Sequence, residues 1–315
     1  MKNKNNDISN IENIKNDNQL PTQSNEKKPK LLPILNPVFL SLFSSKRKYN
    51  LENFLSCILK EKIKITKVLT EYSIQRSRPK EKISRLDVYA TIQNNQEIII
   101  ELQLRNPHNM PERLQFSNCV KIAKQLECGD NYAELCPVIS IGLFYFEIPE
   151  LKGLNTFCAE ASTIFKNITP QRELTNKQRY FIIDLTKAKS LYENGSDETL
   201  VKWCMFLTNP NSLEVEKIMK ENSEIKKLND DLEEISQDEL LRQEAEFWRL
   251  NSVILDWNEK SCFNAGKEEG LKEGQQEGSK KEKIEIAKNM LKKNLDINLI
   301  IELTGLTKEE LEKLK

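Results

Sequence analysis

The stretch Ile83-Ser84-Arg85-Leu86-Asp87-Val88-Tyr89-Ala90-Thr91-Ile92 is followed, after Gln93-Asn94-Asn95-Gln96, by Glu97-Ile98-Ile99-Ile100-Glu101-Leu102-Gln103-Leu104. Both segments read as strands, in which side chains alternate between faces. Leu86, Val88, Ala90 and Ile92 are expected on one face of the first strand, with Asp87, Tyr89 and Thr91 on the other. In the second, Ile98, Ile100, Leu102 and Leu104 share a face, and Ile99, Glu101 and Gln103 share the opposite one. The polar turn suits an antiparallel hairpin. Pairing of the two strands can then bring Asp87, Glu101 and Gln103 onto one face. Two carboxylates that close repel unless a cation lies between them, and hard divalent cations such as Mg²⁺ take oxygen ligands of this kind.

Composition narrows the chemistry further. The 315 residues suffice for one large domain or two small ones. Lys and Arg number 48, as do Asp and Glu, which argues against a protein that coats nucleic acid but leaves room for a local basic groove. Lys46, Arg47, Lys48, Arg76, Arg78, Lys80, Lys82, Arg85 and Arg105 are dense in sequence around the acidic pair. The 7 cysteines include no Cys-x-x-Cys and read as free thiols of a reducing compartment. The 1 histidine, His108, lies in a loop, so His-rich metal sites are excluded and a Ser-His-Asp triad would have to use that residue. Carboxylate–metal chemistry survives this elimination. The polar N-terminus shows no signal peptide, and the longest apolar run, Cys136 to Phe146, is too short to span a bilayer. The expectation is a cytoplasmic protein with no membrane partner.

Along the chain, residues 1–30 are rich in Asn, Lys, Ser and Gln and are expected to be disordered. Helices are expected over Val38–Phe43 and Leu51–Leu59, and a strand over Ile63–Tyr72. After the hairpin, Met110–Cys128 reads as a long helix closed by Gly129. Cys136–Phe146 reads as a buried central strand, Tyr180–Leu185 as another strand and Thr199–Leu207 as a helix. A domain over 31–212 is therefore expected, followed over 213–315 by helices alone. In that second part, glycines recur every four residues from Gly266 to Gly278, which suits either a partner helix approaching closely or a charged linker. Leu241, Phe247, Leu250 and Ile254 form an apolar stripe expected to join chains into a homo-oligomer. The segment from Leu295 to Thr307 has the spacing of a helix-turn-helix.

An ordered set of short motifs carries a resemblance. Asp87 is followed about a dozen residues on by Glu101-Leu102-Gln103. Around this pair stand Leu32-Pro33 through Leu42-Phe43, Asn53-Phe54-Leu55, Arg85-Leu86-Asp87-Val88, Glu112-Arg113, Gln125-Leu126, Gly129-Asp130-Asn131-Tyr132, Leu135 to Ile141, and Trp203 with Phe206-Leu207. Over roughly residues 31–260 the chain resembles PD-(D/E)XK nuclease family transposases, also called recombination-promoting nucleases. The resemblance implies an α/β fold with a restriction-endonuclease-like core, a mixed central sheet flanked by helices, and a helical C-terminal extension. It implies a DNA endonuclease in which Asp87 and Glu101 bind Mg²⁺ or another divalent cation. Asp87, Glu101 and Gln103 would be the catalytic residues, Gln103 standing where many of the superfamily carry Lys. Arg85, Arg105, Arg113 and Gln125 become candidates for site support or phosphate contact, and Tyr132 and Trp203 for core or capping positions. One departure concerns the first helix. Its usual acid is replaced by Asn36, followed by Pro37, leaving a carbonyl oxygen without charge. This leaves two alternatives open: a catalytically silent DNA-binding or regulatory protein of a decayed mobile element, and a helical interaction protein.

Overall fold

The hairpin forms, and a six-stranded sheet grows outward from it. The computed structural model describes residues 28–74, 85–106, 109–154, 156–293 and 295–314, without the side chains of 254–265, 268–269 and 276. Arg76, Arg78, Lys80, Lys82, His108 and almost all of the expected disordered tail lie outside the described residues. Helices α1 (Asn36–Leu42) and α2 (Lys48–Leu59) lead into strands β1 (Ile65–Ser73), β2 (Arg85–Ile92) and β3 (Glu97–Gln103). Helix α3 (Met110–Ala123) crosses to β4 (Val138–Phe144), which is followed by β5 (Cys158–Ile164) and β6 (Glu173–Asp184). Helices α4 (Ala188–Glu193), α5 (Thr199–Thr208), α6 (Leu213–Glu221) and α7 (Ser223–Ile235) follow.

The spatial order of the sheet is β1-β2-β3-β4-β6-β5. β2 runs antiparallel to both β1 and β3, β3, β4 and β6 run parallel, and β5 returns antiparallel to β6. This is the mixed sheet with flanking helices that the motifs implied. The β2–β3 turn has Asn94 and Asn95 at φ 66° and 58°, left-handed values that asparagine tolerates better than most residues. β4 is buried along its whole length, as its continuous apolar run requires.

Each face of the sheet has its own core. On one, Val88, Ala90, Ile98, Ile100, Ile141 and Leu143 pack against α1, α2 and α5. An aromatic chain runs through it, with ring centroids 4.7 Å apart for Phe39–Phe43, 5.5 Å for Phe43–Phe54 and 5.3 Å for Phe54–Trp203. Trp203 is thus a core residue. α6 and α7 add Val215, Ile218, Ile225, Leu228 and Leu232 to the same cluster. On the other face, Tyr89, Ile99 and Val138 meet Val120 and Ile122 of α3, while Phe144 meets Met110 and Leu114.

Several expectations are corrected. Leu86 does not share the face of Val88; it packs with Tyr89 and Ile99 on the opposite side. The change lies level with an irregularity in the neighbouring strand, where Glu71 takes a left-handed φ of 52° between the register pairs Thr70↔Val88 and Tyr72↔Leu86. Leu69 and Tyr72 both join the Leu86 cluster, so the two strands exchange faces at the same level. The helix expected to reach Cys128 ends at Ala123. There the chain turns, because Gln125 hydrogen-bonds the backbone of Cys136 and Glu127 N–H donates to Asp130. Gly129 has φ 101° in that later turn and does not close the helix. Tyr132, expected in the core or at a cap, is 83% exposed. β5 went unread because its sequence is short, polar and half-exposed, and β6 begins at Glu173, ahead of the apolar segment that marked it.

The chain divides into two compact units, residues 1–248 and 249–315. Helix α8 (Glu239–Lys292) contributes to both. In the first unit its buried side presents Ala245 and the half-buried Leu241 to the main core. Leu241, expected in an oligomerisation stripe, is thus committed to this core, whereas the adjacent Leu240 is 71% exposed. Gly266, Gly270, Gly274 and Gly278 lie within α8, and nothing stands within 4 Å of a Cβ placed on any of them. In the second unit, α9 (Ile297–Thr304) and α10 (Lys308–Glu312) pack with the end of α8 around Ala287, Ile300, Leu306 and Leu311. Gly305, at φ 67°, ends α9, and Thr307 with Glu310 forms a capping box for α10.

Gly142 faces Glu101 in the parallel β3–β4 register, and a Cβ there would stand 2.3 Å from Phe144 Cζ and 3.0 Å from Leu114 Cδ1. Gly142→Ala should lower the unfolding free energy by about 1–3 kcal/mol, the usual range for an overpacked core. Urea unfolding checks this; an unchanged midpoint would mean that the Phe144 ring yields freely.

Candidate active site

The site lies where β2 and β3 part. Their antiparallel pairing runs from Thr91↔Glu97 to Val88↔Ile100 and stops. One residue beyond, the Asp87 carboxylate takes over from the backbone: its Oδ2 accepts from Leu102 N–H at 2.8 Å. Its Oδ1 accepts from Asn36 Nδ2 at 3.2 Å. Asn36, the first residue of α1, thus holds the Asp87 side chain by a neutral hydrogen bond.

Glu101 is fully buried in β3, with a side-chain exposure of 0%. Its Oε2 accepts from Arg113 Nη2 at 2.9 Å, while Oε1 is buried without a hydrogen-bond partner. Arg113 reaches it from the first turn of α3. Burial pushes the Glu101 carboxyl from its ordinary 4.5 up to about 8; the nearby Asp87 charge adds to the rise and Arg113 opposes it. Asp87 is also held above its ordinary range, first by desolvation. Leu102 N–H, Arg113 and Asn36 pull its pKa down, whereas the Glu71 charge pushes it up.

The remaining expected residues divide. Gln103 ends β3, half-buried, and as the second residue after Glu101 it falls on the α3 side of the sheet. Arg105 follows it, with Nη2 buried and without a hydrogen-bond partner. Arg85 starts β2 at an exposed position. Gln125 is engaged elsewhere, accepting from Cys136 N–H at 2.7 Å and donating to Cys136 C=O at 3.2 Å. It clamps backbone and does not stand at the acidic pair. Glu71 was not anticipated from sequence; its only signal, a left-handed backbone, is invisible in an alternating strand pattern.

Among the described residues, no three His, Cys, Asp or Glu side chains converge closely enough to hold an ion between them. Mg²⁺ does not demand three, since it dehydrates reluctantly and often takes one or two carboxylates. The donor set here, two oxygen-bearing acids with one buried oxygen unpartnered, fits such an ion. A cavity of about 360 Å³ lies elsewhere, between α2, β5, β6 and α5, lined in part by Cys57, Cys158, Arg179 and Glu198.

A mixed sheet with Asp at the parting of two strands and Glu-x-Gln on the neighbouring one defines a nuclease-like fold of the PD-(D/E)XK type. The chain matches the family model described as PD-(D/E)XK nuclease family transposase over residues 33–259, and it belongs to that family. Residues 280–315 match the C-terminal HTH domain of the Rpn/YhgA-like nuclease family. The helix-turn-helix spacing read from sequence therefore marks a domain of that kind. No curated protein and no solved structure matches the chain.

A carboxyl whose folded pKa is raised makes the folded state less stable as pH rises. The unfolded chain ionises Glu101 near 4.5, whereas the folded chain resists until about 8. Wild-type protein in EDTA should lose stability across that interval relative to Glu101→Gln, the gap in Tm widening toward the upper end. Parallel thermal melts across that pH range check the sign; a constant gap would place no titration at Glu101.

Proposed function

We propose that the chain is a divalent-metal-dependent DNA endonuclease. The observation that carries the reading is Glu101: a fully buried carboxylate with one unpartnered oxygen, close enough to Asp87 for the Asp87 charge to push its pKa up. Asp87 and Glu101 would hold Mg²⁺ or another divalent cation. When bound, such an ion polarises a phosphate and acidifies a water. The protein's own residues do the rest. Leu102 N–H and Asn36 fix the orientation of Asp87. Gln103 is the residue to orient the attacking water through its amide, without the charge a lysine would bring. Arg113, half-exposed at 43%, can exchange Glu101 for a DNA phosphate, and Arg105 carries an unused donor beside the same strand end. Arg85 is exposed at the start of β2 and available to the backbone of DNA.

DNA is the proposed partner of both the nuclease and the C-terminal HTH region. In this reading the nuclease domain is followed from residue 213 by a helical region, and the protein is cytoplasmic. No described helix is long and apolar enough to cross a membrane. The catalytically silent alternative draws on one observation, the neutral Asn36 on Asp87 where an acid is usual.

Nicking of supercoiled plasmid separates these readings. The wild type should nick in Mg²⁺ or Mn²⁺ and stop in EDTA, and Asp87→Ala and Glu101→Ala should each fall to background. Full activity in both variants would move the chemistry elsewhere, and an inert wild type would support the silent reading.

Double-strand cleavage needs two centres, and α8 offers a means to pair them. Leu240 and Phe247, one heptad apart on the part of α8 in the first unit, are 71% and 64% exposed. We expect the full chain to scatter light as a dimer and Phe247→Glu as a monomer; equal masses would dismiss this pairing.

A further inference from the structure

Resting on the divalent-metal reading above, we propose that Glu71 is a third carboxylate of the site, accepting hydrogen bonds from the hydration shell of an ion held by Asp87 and Glu101. Its place in the sheet comes first. Glu71 lies between the pairs Thr70↔Val88 and Tyr72↔Leu86, level with Asp87 across the β1–β2 ladder. Its charge is felt at Asp87. Its backbone is left-handed, φ 52°, inside a strand. Asn94 and Asn95 share that conformation in a tight turn, where short polar side chains favour it. A glutamate in mid-strand has no such local reason.

The left-handed residue also does something to the site. It is the point at which Leu69 and Tyr72 come onto one face, together with Leu86 and Tyr89 of the next strand. Asp87 sits in that exchange, and β2 leaves β3 there.

The independent sign of a cation is Glu101. Its side chain is wholly buried, and Oε1 has no partner. With Asn36 at the first-helix position, that helix supplies no charge to this centre. Glu71 brings one from an exposed position of the edge strand. It does not converge closely enough with Asp87 and Glu101 to make a three-carboxylate cage. A carboxylate acting through water suits Mg²⁺, which keeps several of its waters.

Calorimetric titration of the full chain with Mn²⁺ tests this against the reading it rests on. Glu71→Gln should bind Mn²⁺ about tenfold more weakly, the usual loss for an outer-shell partner. Glu71→Gly, which takes the left-handed φ without strain, should weaken binding equally, because the carboxylate and not the kink is at issue. Asp87→Asn should abolish binding. Wild-type affinity in Glu71→Gln, with Asp87→Asn inert, overturns the role of Glu71 and leaves the metal site standing. Weakening in Glu71→Gly alone assigns the effect to backbone shape and also overturns it. A wild type that binds no Mn²⁺ overturns both.

Discussion

A carboxylate with no exposed surface, set in the middle of a hydrophobic sheet, must be protonated, paired or bound to a cation. Glu101 is in that position, and much of the surrounding structure can be read as its answer. Arg113 pairs with one oxygen, but from a half-exposed position, so the pair is open on one side. The second oxygen has nothing. A buried ion pair is weak evidence of stabilisation, because the cost of removing charge from water offsets most of the attraction. The arrangement makes better sense as a site kept ready than as a structural brace. The neighbouring glycine fits this view: Gly142 faces Glu101 across the ladder and leaves room for the Phe144 ring and Leu114 to pack against the α3 side.

Asp87 is positioned by a different device. Its carboxylate acts as a piece of backbone, taking the Leu102 N–H just past the end of the β2–β3 pairing. That bond requires β2 to veer from β3, and the veer coincides with the exchange of faces around Glu71. The electrostatic pair and the strand irregularity are thus one feature, seen from the side chain and from the main chain.

Much of this was legible in the sequence. Alternation and β-branched composition gave the hairpin and the central strand, and helical spacing gave α1, α2 and α5. The spacing from Asp87 to Glu101 brought two acids to neighbouring strands. What alternation could not show was its own failure: Leu86 changes face level with a left-handed residue, Glu71, on another strand. Gln125 was a candidate phosphate contact through the resemblance, on the helix expected after the motif; the loop that brings Cys136 to it has no sequence signal. The polar edge strand β5 was missed for the reason edge strands are hard to read: half its residues face water. Tyr132 shows the converse, since a large aromatic does not have to be buried.

The strand order has a consequence for how the chain reaches this state. β1, β2 and β3 are neighbours in sequence as well as in space, and β2 closes onto β3 through a turn of Gln93–Asn95. The β4–β6 pairing instead waits for β5 and its flanking segments to be laid out first. Closing short loops costs less entropy than closing long ones, and local pairings form sooner. The three-stranded meander bearing both acids is therefore the part of the sheet able to assemble early. It is the packing of α3 and β4 on this meander that takes the Glu101 carboxylate out of water. The electrostatic cost of the centre is therefore tied to the same step that builds the core on that face, and the apolar burial gained there offsets it.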